Sequence, residues 1–387
     1  MEITGLRKTV RSVDPYVPGK SIEEVKRELG LTTVIKLASN ENNYAPFPHA
    51  LKAMERELGN LNRYTDVTFK EIKHLLADLH DTSPRHIALS HGTEGMLQTI
   101  AKCFLEDGDE VILPAITYGL YREISKLMGA RIVEVPMQEF QIDIEAIINA
   151  LTPKTKLIWL ANPNNPTGTI VPKHQLLDLL DAMPDHTWIA LDEAYAEFAS
   201  PDLLPDRVAL IHAEKRLIVT RTFSKAYGLA GARLGYAIAH PDMITVIDTV
   251  SEPFNANRIA LAGAIAVLTE DHHAYQHALT HIIRDRQRVE RALRQMGMHV
   301  IPSHTNFVFF ETPYDAQQLA RALLLQGYIV RPCNFWGLPN TLRVTIGTTE
   351  QMDEFLEVFQ ELLTPHKAPT LLQEEPLRAG TYERLEI

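Results

Sequence analysis

Cysteine is nearly absent: Cys103 and Cys333 are the only two among 387 residues. Two thiols support no disulfide framework and suit a reducing cytoplasm, the expected location. Long apolar runs are also missing. The strongest, such as LIWLA from Leu157, fall far short of the roughly 18 residues a membrane span needs. Positive charge is in deficit, with 38 Lys and Arg against 49 Asp and Glu, for a formal net charge of −11. Without a dense basic stripe, neither nucleic acid nor an anionic membrane is an expected partner. The opening MEITGLRKTVRSVDPYVPGK carries no apolar core of a signal peptide, and no Asn-x-Ser/Thr acceptor occurs, because Asn165 precedes a proline. The dinucleotide turn Gly-x-Gly-x-x-Gly, the phosphate loop, the Gly-x-Ser-x-Gly elbow and His-Glu-x-x-His are all missing.

What remains is ordinary globular composition, 45% hydrophobic and 22% charged. At about 150 residues per domain the length predicts two domains, one dominating. From about residue 68 to 240, helical periods alternate with the apolar runs IALS, VILP, RIVEV, LIWLA, WIALD, LIVTR and GYAIA. Continuous rather than alternating runs predict strands buried on both faces under crossover helices. Hence the expected fold is α/β: a large domain over 44–285 with a mostly parallel seven-stranded sheet. A long charged helical stretch from about Asp271 to Gly297 leads to a smaller α+β domain, 286–363. Residues 1–43 read as an arm and 364–387 as a tail.

One candidate metal set is His273, His277 and His281, spaced to share one helix face. A solvated helix face accounts for it as well, so no metal is expected. The informative residues are distributed over loops that follow strands in order. ANPNNPTG follows LIWL, LDEAY closes WIAL, and TRTFSKAYGLAGARLG follows LIV. Ligands bind in such loops at the carboxyl ends of strands in open α/β sheets. Singly, each piece is a turn, a cap or a surface residue. Together they supply an amine, a carboxylate, an amide, a phenol and a guanidinium at one sheet edge.

That inventory fits pyridoxal phosphate. Lys225 offers the amine for a Schiff base with the aldehyde. Asp192 offers a carboxylate to keep the pyridine nitrogen protonated. Asn165 and Tyr195 can donate to the phenolic oxygen, and Tyr118 is placed to stack on the ring. For the phosphate, HGTEG (Gly92, Thr93, Glu94) opens a helix, with Thr222, Ser224 and Arg233 adding hydroxyls and a cation.

With these motifs in hand, the chain resembles the fold-type I, class I/II pyridoxal-phosphate aminotransferases, specifically the histidinol-phosphate branch. The resemblance runs from about Tyr16 to Leu363. It rests on LASNENNYAPFP, LNRYTD, ANPNNPTG, LDEAY, RTFSKAYGLAGARLGY, YIVRP and LRVTIGT. It implies that Lys225 anchors the cofactor and shuttles the proton. Asp192, Asn165 and Tyr195 would hold the ring, and Ser224 and Arg233 the phosphate. Tyr64 would reach the phosphate of a neighbouring subunit, implying a homodimer with shared sites. Arg343 would bind a substrate carboxylate or phosphate, and Tyr16 and Arg331 the distal anion. The implied reaction exchanges an amino group between a small-molecule donor and a keto or aldehyde acceptor. Aromatic transamination and threonine-phosphate decarboxylation are alternatives within the resemblance. A non-catalytic ligand sensor is the alternative outside it. Departures from the usual pattern are Gly92-Thr93-Glu94-Gly95, RYTD for RYPD, a bulky Trp336, and a longer tail.

Overall fold

The computed structural model describes residues 4–14, 19–213 and 215–364. Tyr16 and the expected tail beyond Thr364 lie outside them. The chain divides into two compact units. Of the described residues, those in 4–13, 41–283 and 301–306 form the first. Those in 14–40, 284–300 and 307–364 form the second.

All seven apolar runs become strands of one sheet in the first unit. Its order is Ile87–Ser90, Gly235–Ile238, Leu217–Thr222, Trp188–Asp192, Thr155–Ala161, Glu110–Pro114, Arg131–Val135. Pairing is parallel except around Gly235–Ile238, which runs antiparallel to both neighbours. Alternate residues such as Leu113, Leu157, Trp159, Ala190 and Ile218 face one core. Met96, Leu97 and Ile100 of helix Gly92–Phe104 and Tyr121 and Ile124 of helix Leu120–Met128 close it. Both helices begin where a strand ends, so their first turns sit at the carboxyl edge of the sheet.

One expectation about the sheet is corrected. Arg131–Val135 is not buried on both faces; Arg131 and Glu134 are exposed. It is an edge strand, paired with Glu110–Pro114 alone, and charged side chains blunt such an edge.

The second unit holds a four-stranded sheet ordered Arg331–Pro332, Thr341–Thr345, Phe307–Glu311, His299–Ile301. Helices Ala316–Leu325 and Thr349–Leu362 belong to the same unit. The second begins with a capping box between Thr348 and Gln351.

Part of the segment 1–43, read as an arm, carries regular structure. Ser21 and Glu24 form a capping box that starts helix Ile22–Leu29, and left-handed Gly30 ends it. Ile35–Lys36 then pairs in parallel with Tyr328–Ile329. Val25, Val34, Ala38 and Ile329 bury a small apolar cluster, so this segment is part of the second unit's core.

Candidate active site

The strand order brings the sequence motifs to one edge. Helix Gly92–Phe104 follows the first strand of the sheet, Tyr118 follows Glu110–Pro114, and the Asn162–Thr169 turn follows Thr155–Ala161. Asp192 closes its strand, and Thr222, Ser224 and Lys225 end or follow the next. Asn164 braces the turn. Its amide nitrogen donates to Ile116 O and Thr167 Oγ1, both at 2.9 Å, and its Oδ1 accepts from Thr117 Oγ1 at 2.8 Å. Asn165, the next residue, is buried.

Asp192 is a buried carboxylate, 6% exposed. Tyr121 Oη donates to its Oδ2 at 2.6 Å, and the Ala194 N–H donates to Oδ1 at 3.1 Å. Burial pushes the Asp192 pKa up, while these hydrogen bonds oppose the rise. Tyr121 is itself held rigidly. Its ring stacks on Trp159 at 5.4 Å and 4°, and Trp159 Nε1 donates to Ser125 Oγ at 3.0 Å. Ser125 Oγ in turn donates to Tyr121 O at 2.7 Å. Lys225 Nζ lies 5.9 Å from the centroid of the Tyr195 ring.

A second cluster forms at the start of helix Gly92–Phe104. Gly92 has φ +79°, and a Cβ there would lie 2.6 Å from Arg233 Nη2. Gly235 is equally constrained, since its Cβ would meet Thr93 N at 2.5 Å and the Gly92 carbonyl carbon at 2.7 Å. Arg233 adopts a left-handed φ of 61°, a conformation that costs a non-glycine residue about 1 kcal/mol or more. Its Nη2 lies 3.2 Å from Glu94 Oε2, and Glu94 Oε1 accepts from Tyr118 Oη at 2.7 Å. Thr222 Oγ1 accepts from the Ser224 N–H at 3.0 Å. Backbone N–H groups at a helix start, two hydroxyl residues and a guanidinium could hold an anion here.

A buried ion cluster occupies the same strand ends. Arg221 donates to Glu193 Oε2 at 2.7 Å and to Glu197 Oε1 at 2.8 Å. Arg207 Nε lies 3.0 Å from the same Glu193 oxygen. The Arg221 carbonyl accepts from Thr93 Oγ1 at 3.0 Å, so this residue ties the Asp192 strand end to the helix start. Its positive field, with that of Arg207, adds to burial in lowering the His80 pKa to about 2. His80 Nε2 shares a 2.8 Å hydrogen bond with Tyr236 Oη.

The other expected residues have surroundings of their own. Tyr64 is 77% exposed, its ring stacks on Phe254 at 4.2 Å, and its carbonyl accepts from Arg258 Nη2 at 2.9 Å. Arg331 and Arg343 belong to the second unit, directly opposite one another on antiparallel strands. Arg343 Nη2 donates to Ala38 O at 2.5 Å, and its guanidinium lies 5.4 Å from the Phe307 ring centroid. Trp336 packs edge-on against Phe335 in the same unit. His277 and His281 meet, but among the described residues no three metal-ligating side chains converge. Among those residues, too, no helix is long and apolar enough to cross a membrane.

Residues 32–359 match the family aminotransferase class I and II. The chain belongs to that family. The Nitrosospira multiformis histidinol-phosphate aminotransferase 2 is 37% identical over 351 residues, covering 90% of this chain and 89% of its own. The Mannheimia succiniciproducens histidinol-phosphate aminotransferase 1 is 38% identical over 354 residues, covering 92% and 96%. Among solved structures, the Sinorhizobium meliloti histidinol-phosphate aminotransferase in complex with pyridoxal-5'-phosphate superposes with a TM-score of 0.84. It is 30% identical and covers 93% of this chain and 99% of its own.

As an aminotransferase, the protein takes an amino donor and a keto or aldehyde acceptor. Sequence reasoning missed two parts of its candidate site. Tyr121 follows Tyr118 by three residues in TYGLYREI, at the start of helix Leu120–Met128, but nothing local tells that it reaches Asp192. Arg221 and Glu193 lay inside the quoted motifs TRTFSK and LDEAY, but nothing local tells that they pair.

Proposed function

We propose that this aminotransferase converts histidinol phosphate and 2-oxoglutarate into imidazole-acetol phosphate and glutamate, using pyridoxal phosphate in a homodimer with shared sites. The cofactor fits the residues present. A buried carboxylate, an amine, a phenol and an amide occupy the strand ends, and the anion cradle at Gly92 has no room for a Cβ beside Arg233. When bound, pyridoxal phosphate supplies an electron sink for the negative charge that develops on the donor's amino-bearing carbon.

The chain's own residues do the rest. Asp192 would hold the proton on the ring nitrogen, and the hydrogen bonds from Tyr121 and the Ala194 N–H aim that carboxylate and oppose the pKa rise that burial causes. Asn165 and Tyr195 would orient the ring through its phenolic oxygen, and Tyr118 would cover one face. Thr93, Glu94, Thr222, Ser224 and Arg233 surround the phosphate together with the N–H groups that follow Gly92. Lys225 would hold the cofactor through its amine, and its Nζ would move the proton that leaves the donor's carbon. Tyr64 contributes to the phosphate of the second subunit, in keeping with its 77% exposure.

The observation that carries the substrate reading is the pairing of Arg331 with Arg343 across two strands. Like charges directly opposite repel, and a substrate anion beside both would offset that repulsion. Two guanidinium forks suit a phosphate dianion, with Tyr16 as a further donor. The names of the relatives at 37 and 38% identity support the same reading. An aromatic donor is the second reading, favoured by the indole of Trp336 in the same unit.

The test is direct. Reduction of the yellow holoenzyme with borohydride, followed by peptide mapping, should find the cofactor on Lys225. Glutamate should then form from histidinol phosphate and 2-oxoglutarate at a rate that needs added pyridoxal phosphate after the enzyme is stripped. A colourless protein that takes up no cofactor contradicts the reading.

A further inference from the structure

Helix His272–Gln295 brings together His277 and His281, two residues given no part in the candidate site. Their spacing of four residues puts both rings on one face. The Nε2 atoms are 3.0 Å apart, with ring centroids at 4.2 Å and planes at 44°. His277 is exposed and His281 half-buried, so solvent reaches the pair.

We propose that His277 and His281 form a chelate for a late first-row divalent ion, copper(II) or nickel(II), with water in the remaining positions. Geometry decides the ion class. With metal–imidazole bonds of about 2.05 Å, a 3.0 Å separation of the two nitrogens corresponds to an N–metal–N angle of about 94°. Adjacent positions of a square-planar or octahedral ion subtend about 90°, whereas a tetrahedral zinc site needs nitrogens about 3.3 Å apart. Among the described residues no third His, Cys, Asp or Glu joins the pair, as a two-ligand chelate on an exposed face requires.

The contrast with the other close histidine pair sharpens the point. The rings of His86 and His212 lie 4.9 Å apart. There, however, His86 Nδ1 is engaged by Ser83 Oγ at 2.9 Å and His212 Nε2 by Thr82 Oγ1 at 3.2 Å. In the His277–His281 pair the two Nε2 atoms meet each other at 3.0 Å. As neutral rings they share one N–H between two nitrogens, and shifting both protons to Nδ1 opens two lone pairs to a single ion. The Tyr44 ring lies 5.9 Å from that of His281. Tyr44 also belongs to the segment in which Asn42 Nδ2 donates to Ala226 O at 2.9 Å, next to Lys225.

The experiment uses untagged, metal-stripped, full-length enzyme titrated with copper(II) chloride by calorimetry and followed by electron paramagnetic resonance. One ion per chain should bind in the micromolar range, with hyperfine splitting from two imidazole nitrogens. His277→Gln and His281→Gln should each weaken binding by about tenfold or more, at least the cost of losing an outer-shell partner, and abolish the two-nitrogen pattern. His273→Gln, one turn earlier, should change neither. Both sites are at the surface, so unchanged melting temperatures should show that the variants fold. Equal affinity in His277→Gln and wild type, or no stoichiometric binding, overturns the proposal.

Discussion

Tyr121 Oη donates a 2.6 Å hydrogen bond to Asp192 Oδ2, and both side chains are buried. Burial alone favours a neutral carboxyl, and this bond works against it. Removing it in Tyr121→Phe should cost about 1.5 kcal/mol or more of stabilisation of the charged form. Two outcomes follow for the holoenzyme. The acid limb of the pH–rate profile should move to higher pH, because the carboxylate protonates more easily. The rate near neutrality should fall by about tenfold. Asp192→Asn, which cannot carry the charge at all, should lose far more. An unchanged acid limb in Tyr121→Phe would reduce Tyr121 to a packing residue.

Tyr64 projects from its own chain, stacked on Phe254. If it completes the neighbouring subunit's phosphate site, two inactive variants can rescue each other. Lys225→Ala mixed with Tyr64→Ala should regain part of the wild-type rate, since one site of the mixed dimer draws both native groups. Sizing should show a dimer. A fully active monomer contradicts the shared site.

His80 gives a stability prediction with a defined sign. Its native pKa is about 2, against 6.5 for a free imidazole, through burial first and then the charges of Arg221 and Arg207. The unfolded chain therefore takes up a proton that the native state refuses. This contribution is complete above pH 6.5 and declines as pH falls toward 2, by at most about 1.4 kcal/mol per unit. His80→Gln keeps a partner for Tyr236 and removes the linkage. Its melting temperature should fall less steeply than wild type between pH 6 and about 4.5. Parallel curves would assign the acid sensitivity elsewhere.

Arg331 tests the substrate anion. A phosphate should profit more than an aromatic ring from the guanidinium opposite Arg343. Arg331→Ala should cost histidinol phosphate about 2 kcal/mol more in kcat/KM than it costs phenylalanine. An equal loss for both donors removes Arg331 from phosphate recognition.

How far the sequence reaches is visible in particular residues. IALS, LIWLA and WIALD were legible as strands because burial on both faces leaves a continuous apolar run. RIVEV carries the same pattern less well, and its charges mark the edge it occupies. Asp192 and Lys225 were legible because each sits in a dense local motif. Tyr121 was not, because its partner lies 71 residues away and only the fold brings them together. The same holds for Ile35–Lys36, whose parallel partner Tyr328–Ile329 comes from the other end of the chain. Short strands and distant pairs leave almost no periodic signal.

The measurement that bears most directly on the account is a donor panel for the wild-type holoenzyme with 2-oxoglutarate as acceptor. It compares kcat/KM for histidinol phosphate, phenylalanine and tyrosine under one set of conditions. The account predicts that histidinol phosphate leads both aromatic donors by tenfold or more, about 1.4 kcal/mol in transition-state stabilisation. Phenylalanine or tyrosine ahead of histidinol phosphate by the same margin would contradict it and make the enzyme an aromatic aminotransferase.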